Sequence, residues 1–128
     1  MLNKILTFAA VAEAGTGLVL LVAPTLVVQF LLGMEAAGIG VVLGRCFGIA
    51  LIALALACWP GRQRGDPDSP SVRGMLIYNL LVALYLAFLG SSQASGLLLW
   101  PAVVLHAVVA LLLLRAWVTG RRTLATRS

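Results

Sequence analysis

Charge is what this sequence has least of. Only 10% of its 128 residues are charged, 62% are hydrophobic, and the mean hydropathy is +1.08. A soluble domain carries about 25% charged residues, so there is too little polar side chain here to cover a water-facing surface. Histidine and cysteine are nearly as scarce. One histidine excludes a haem held by two histidines of a single chain. The two cysteines, Cys46 and Cys58, form no Cys-x-x-Cys pair, which argues against a thiol–disulfide enzyme. They share one apolar segment; if it is helical they stand about 18 Å apart along its axis, far beyond disulfide reach, and are expected to be small, unreactive bundle residues. The sequence has no His-Glu-x-x-His, no phosphate-binding Gly-rich loop ending in Lys and no Gly-x-Ser-x-Gly. Asp66 and Asp68 have no His or Cys near them to complete a metal site. On these grounds no enzymatic activity, cofactor or metal is expected.

What is present is long apolar sequence. A hydrocarbon core about 30 Å thick needs about 20 mostly apolar residues per helix, and four stretches qualify: about 5–24, 37–59, 74–91 and 98–118. Backbone groups in lipid must bond within their own segment, so these are helices. The expected fold is all-α, a polytopic four-helix membrane bundle forming a single domain over 1–128. Lys4 followed by ILTFAAVA has the flavour of a secretory signal, but Glu13 inside the apolar run and the lack of a small-x-small cleavage site favour a retained first span. Pro24 kinks or ends that span; residues 25–33 either extend it or lie in the membrane interface. Residues 60–73, rich in Pro, Gly, Asp and Ser, read as a charged loop, with the charges of 62–68 solvated. Residues 91–96 form a short uncharged link.

The net charge of +5 does not point to nucleic acid, because the basic residues flank apolar segments and form no stripe. Lys4 precedes the first span, Arg62, Arg64 and Arg73 lie between the second and third, and Arg115, Arg121, Arg122 and Arg127 end the fourth. Eight of the nine cationic residues therefore fall on one side, which the positive-inside rule makes cytoplasmic. The expected topology is N-in/C-in. Trp59, Trp100 and Trp117 mark the interfaces.

Each span keeps one strongly polar residue: Glu13, Arg45, Asn79 and His106. An isolated charge at the bilayer centre costs at least about 2.5–3.5 kcal/mol, and pairing Glu13 with Arg45 is the simplest way to lower that cost. Counted from the cytoplasmic end at about 1.5 Å per residue, Glu13 lies about 12 Å deep, His106 about 17 Å, Arg45 about 20 Å and Asn79 about 8 Å. Asn79 is then expected to join only through water or Tyr78. Small residues, which mark close helix contacts in membranes, surround Glu13 (Ala9, Ala10, Thr16, Gly17). They recur as Gly40, Gly44 and Gly48, a double GxxxG. Tyr78 and Tyr85, seven apart, share a helix face. Each feature has a plain structural reading beside the functional one. The glycines pack helices within the chain or form a dimer seam, the Glu–Arg pair fixes helix neighbours or serves chemistry, and His106 is a bundle residue or a ligand.

The segments VAEAGTGLVLLVAP (11–24), LGRCFGIALIALALACW (43–59), YNLLVALYLAFLG (78–90) and LWPAVVLHAVVALLLLRAW (99–117) resemble those of small bacterial four-helix membrane proteins of the DoxX-like group. The resemblance implies a fold and a place in the bacterial inner membrane, and no particular activity. A narrower likeness is to the small multidrug resistance transporters, since AEAGTG (12–17) is similar to the stretch around their proton-exchanging first-helix glutamate and puts Glu13 in the matching place. The rest departs from that pattern: Arg45 would neutralise the glutamate, and the aromatic motifs of the later helices are missing. The leading expectation is an accessory bundle that binds lipid or a larger membrane complex, a homo-oligomer among the possible assemblies. The alternative is a proton-, anion- or amphiphile-binding or transport protein using Glu13, Arg45 and His106.

Overall fold

The computed structural model describes residues 1–60, 66–92 and 96–125, with side chains as far as Arg122. Among these the chain is helical: α1 (Leu2–Val22), α2 (Pro24–Leu32), α3 (Ile39–Ala57), α4 (Pro70–Ser92) and α5 (Leu99–Ala125). Four of the helices, α1, α3, α4 and α5, are long and apolar enough to cross a membrane. Arg62, Arg64, Arg127 and part of the 91–96 link lie outside the described residues.

Prolines and glycines set the boundaries. Ala23 leaves helical geometry at φ −135°, ψ 63°, as the residue before a proline is driven to do. Pro24 then opens α2 at the first-turn position where a missing N–H is harmless. Residues 25–33 therefore do not continue the first span. They form a helix of their own, closed by Gly33 in the left-handed region at φ 73°. The charged connection also ends sooner than residue 73. Ser69 caps α4, its hydroxyl accepting from the Val72 N–H at 3.4 Å and its carbonyl from the Arg73 N–H at 3.2 Å. Serine followed by proline is a strong helix start, yet the polar first turn it begins is invisible to hydropathy. At the other end α5 runs to Ala125, well past residue 118.

The helices associate as two pairs, α1 with α3 and α4 with α5, and α1 alone makes substantial contact with both partners of the other pair. The α1–α3 crossing is a backbone contact. A Cβ built on Gly17 would stand 2.7 Å from the Gly48 carbonyl oxygen, and one on Gly48 would stand 2.6 Å from that of Gly17. Gly44, one turn earlier, lies against Pro24 at the start of α2, where a Cβ would come within 2.9 Å of the proline Cβ. Gly40 meets only Ala36, so two of the three spaced glycines make interhelix contacts within the chain and the third does not.

Between the pairs lies the core: Leu6, Ala9 and Ala10 of α1, Ala55 and Cys58 at the end of α3, Val72 and Met75 of α4, Val109 and Leu113 of α5. Cys58 is buried there, whereas Cys46 is exposed, and both thiols are free. Short ties close each end of the molecule. At one end the Leu98 N–H donates to the Phe30 carbonyl at 2.8 Å, and Gly96 presses on the Leu31 backbone so closely that no Cβ fits. This fastens α2 to the start of α5. At the other end Ser71 donates to the Ala57 carbonyl at 3.3 Å, and Pro67 packs against Gly120. The outward faces carry Phe8, Leu18, Phe47, Leu56, Leu84, Phe88 and Leu111, a surface suited to hydrocarbon.

Because both sides of the α1–α3 contact are backbone, Gly48→Ala should lower stability by about 1–3 kcal/mol, the usual cost of overpacking. Gly15→Ala, where a Cβ meets nothing within 4 Å, should be neutral or slightly stabilising. Thermal unfolding in detergent reads both; equal losses would mean that the helices do not cross at this point.

Candidate functional site

The site sits immediately past the core, where the two helix pairs meet. Glu13 is one turn beyond Ala9 and Ala10, Asn79 one turn beyond Met75, and His106 one turn before Val109 and Ala110. Each of these three helices therefore delivers its polar residue at the edge of this cluster, and buried Leu20, Leu51, Ala83, Leu86 and Leu99 lie on the far side of it. Glu13 is 4% exposed and Asn79 1%, and Tyr78 and His106 are half-buried.

The hydrogen bonds can be followed atom by atom. Tyr78 Oη donates to Glu13 Oε2 at 3.0 Å, joining α4 to α1. Asn79 Nδ2 donates to the Met75 carbonyl at 2.8 Å, which fixes the amide and leaves Oδ1 facing His106 Nδ1 at 2.8 Å. An amide oxygen can only accept, so Nδ1 of His106 carries the hydrogen. The same nitrogen stands 3.8 Å from Glu13 Oε1, too long for a hydrogen bond but close enough for attraction to an anionic carboxylate. The Tyr78 and His106 rings meet edge to face, with centroids 5.9 Å apart and planes at 79°, the favoured arrangement of such rings. Among the described residues no buried side-chain nitrogen or oxygen lacks a hydrogen-bond partner. Chemically this is a cluster of tyrosine, carboxyl, imidazole and amide spread over three helices, two hydrogen-bonded pairs facing each other across the 3.8 Å gap between Glu13 and His106.

The structure brings together four of the residues singled out from sequence: Glu13, Tyr78, Asn79 and His106. Asn79 meets His106 directly, without the intermediary that its shallow depth implied. Arg45 and Tyr85 are elsewhere. Arg45 is exposed and, among the described residues, forms no ion pair with Glu13; the carboxylate turns to Tyr78 and His106. The reason is register. α1 and α3 run antiparallel with Gly17 opposite Gly48, which puts Arg45 level with Leu20, about 10 Å along the helix from Glu13. With Gly44 and Gly48 facing α1 and α2, residue 45 is also turned about 100° away. Tyr85 is 62% exposed, so sharing a helical face with Tyr78 did not give it the same neighbours.

A second polar group was not anticipated from the sequence. Asp68 accepts from Trp117 Nε1 at 2.7 Å and lies 3.5 Å from Arg121 Nε, while the Arg121 guanidinium stands 5.1 Å from the centre of the Trp117 ring. Asp68 is therefore not simply a solvated loop charge, and Trp117 does more than mark an interface. The available signal was the turn chemistry of Asp66-Pro67-Asp68: the Asp68 N–H donates to Asp66 Oδ1 at 2.9 Å, a local turn typical of aspartate.

Among the described residues no group of three or more His, Cys, Asp or Glu side chains is placed to hold a metal ion. No protein-family model matches the chain, and no curated protein or solved structure matches it. The fold therefore defines the class, an all-α multi-pass membrane protein with a polar joint between two helix pairs.

The hydrogen-bond pattern sets a double-mutant test. Glu13→Met and Tyr78→Phe should each destabilise, and the double variant should cost less than their sum by about 0.5–2 kcal/mol, since interhelical hydrogen bonds in membranes are worth that order. Glu13→Met combined with Arg45→Met should instead be additive to within about 0.5 kcal/mol. Unfolding in detergent decides; a coupled Glu13–Arg45 pair would contradict the observed register.

Proposed function

We propose that this chain is an accessory bundle of a bacterial inner membrane, N-in/C-in, which binds lipid or a larger membrane complex and performs no chemistry of its own. The likeness to DoxX-like proteins is consistent with that address. The observation that carries the reading is the split between inner and outer polar groups. Tyr78 hydrogen-bonds Glu13 and Asn79 hydrogen-bonds His106 inside the molecule, which supports a structural role for them. Arg45 is exposed on a membrane-length helix and has no ion-pair partner among the described residues. It lies about 9 Å from the start of α3. A cation at that depth needs an anion from outside the chain: a lipid phosphate reached by extending toward the interface, or a carboxylate of a neighbouring helix.

The alternative, a proton-, anion- or amphiphile-binding or transport protein, needs Glu13, Arg45 and His106 around one cavity. The outward position of Arg45 weighs against it. The orientation is supported by the gathering of Lys4, Arg73, Arg121 and Arg122 at the end of the molecule where α1 and α4 start and α3 and α5 finish.

Two measurements test this reading. Gentle extraction from the native membrane should recover the protein with bound lipid or a protein partner, and Arg45→Leu should weaken that association. Recovery as a lone species with neither would overturn the accessory role. In a Cys46→Ala, Cys58→Ala background, a membrane-impermeant thiol reagent added outside should label Met34→Cys and miss Arg73→Cys. The reverse pattern would invert the topology.

A further inference from the structure

A cleft of about 630 Å³ opens between the start of α1 and the end of α3, lined by Asn3, Lys4, Thr7, Phe8, Val11 and Trp59 among others. Its size is within the range of about 300–1,000 Å³ typical of small-molecule sites. Four of these residues, Lys4, Thr7, Phe8 and Val11, follow the 3–4 spacing of one helical face. The lining changes character along that face. Asn3, Lys4 and Thr7 are at the helix end, and Phe8 and Val11, each more than half exposed, continue inward for about another turn. Trp59, just past the end of α3 and 50% exposed, stands beside the cationic mouth.

We infer that this cleft is a binding site for an anionic phospholipid, its headgroup held by Lys4 and the edge of Trp59 and an acyl chain laid along Phe8 and Val11. Three properties select that occupant. The polar-to-apolar gradient runs along a membrane-length helix from its end inward, which is the polarity profile of a lipid standing in one leaflet. The mouth carries a cation, and among the described residues no acidic side chain lines the cleft. Asp68, at the same end of the molecule, is already engaged by Trp117 and Arg121. The mouth also lies at the basic end of the molecule, where a cytoplasmic leaflet supplies anionic headgroups at the right level. A zwitterionic lipid would leave the ammonium of Lys4 without a net counter-charge. A second copy of the chain would have to present an acid there, but Glu13 is buried, Glu35 follows α2 at the opposite end of the molecule, and Asp66 and Asp68 are engaged within their own turn and with Trp117 and Arg121.

The site deepens the lipid-binding half of the proposed function and can fail separately from it. In a Trp100→Phe background that keeps Trp117 on Asp68, the emission lost in the further variant Trp59→Phe is the signal of Trp59, which reports the cleft. The full chain is reconstituted in phosphatidylcholine vesicles containing rising fractions of chain-brominated phosphatidylglycerol or, in parallel, chain-brominated phosphatidylcholine. Brominated phosphatidylglycerol should quench Trp59 at about fivefold lower mole fraction, the weight of one basic side chain at an anionic surface. Lys4→Gln should erase the difference and Lys4→Arg should keep it, each compared at the parent's helix content by circular dichroism. Equal quenching by the two lipids in the parent, or a preference that survives Lys4→Gln, overturns the site. So does quenching that falls as protein is concentrated in the vesicle, because a second copy would then be covering the cleft. A chain that co-purifies with a protein partner yet shows equal quenching loses this site alone and keeps its accessory role.

Discussion

Hydrocarbon gives helices no reason to prefer one another over lipid, because lipid tails are as apolar as leucine. Association in such a solvent rests on close backbone approach and on polar groups that have no other partner, and this chain uses the first between α1 and α3 and the second between α4 and α5 and between the two pairs. Gly17 and Gly48 let α1 and α3 touch through their backbones. The joint between that pair and α4–α5 is the carboxyl of Glu13. It is 4% exposed, and its neighbours across the gap are the hydroxyl of Tyr78 and the imidazole of His106. Without that joint, what remains between the pairs is the patch of small and aliphatic residues at one end of the bundle and the short ties at the two ends, Ser71 to Ala57 and Leu98 to Phe30.

The joint is directional because each of its members is held by something more rigid. Asn79 is tied to the carbonyl of Met75 in its own helix, so its oxygen points at His106, and the imidazole is thereby set as a donor at Nδ1. The Tyr78 ring packs edge-on against the same imidazole and brings its hydroxyl to the other carboxyl oxygen. A buried network of this kind specifies a unique arrangement only when every member is satisfied. Here each polar atom selects the orientation of the next, so α1, α4 and α5 are placed in rotation as well as in distance. The ends repeat the principle more cheaply. A backbone hydrogen bond from Leu98 to Phe30 holds α2 to α5, and Asp68 between Trp117 and Arg121 holds the α4 approach to the end of α5.

The four spans and the identity of the buried polar residues were legible because both follow from composition: long apolar runs must be helices in lipid, and the few polar residues inside them must meet something. The pairing was less legible. Opposite charge suggested Glu13 with Arg45, but charge carries no information about register, and register was decided by Gly17 against Gly48. The helix starts showed a similar limit. Hydropathy dates the third span from Gly74, although Ser69 and Pro70 announce the helix four residues earlier in capping chemistry. Asp68 was hardest to foresee, since nothing local says that a charge in a Pro-rich connection will find the indole of a residue 49 positions away.

The same contrast separates what holds the protein together from what it offers to its surroundings. Selection for a stable bundle is served by the Glu13 network, whose hydrogen bonds run between side chains of this chain. Arg45 and Lys4 add nothing evident to that network, and each sits on an outward face of a membrane-length helix, one near the start of α3 and the other in the first turn of α1. Because α1 and α3 are antiparallel neighbours, the two cations are displaced toward opposite ends of the same helix pair. An arginine several residues inside its span must reach back toward the interface or meet an acid in the membrane, whereas a lysine in the first turn is already at headgroup level. The pair α1–α3 therefore presents a cation toward each membrane surface, while α4–α5 faces the joint and the basic end.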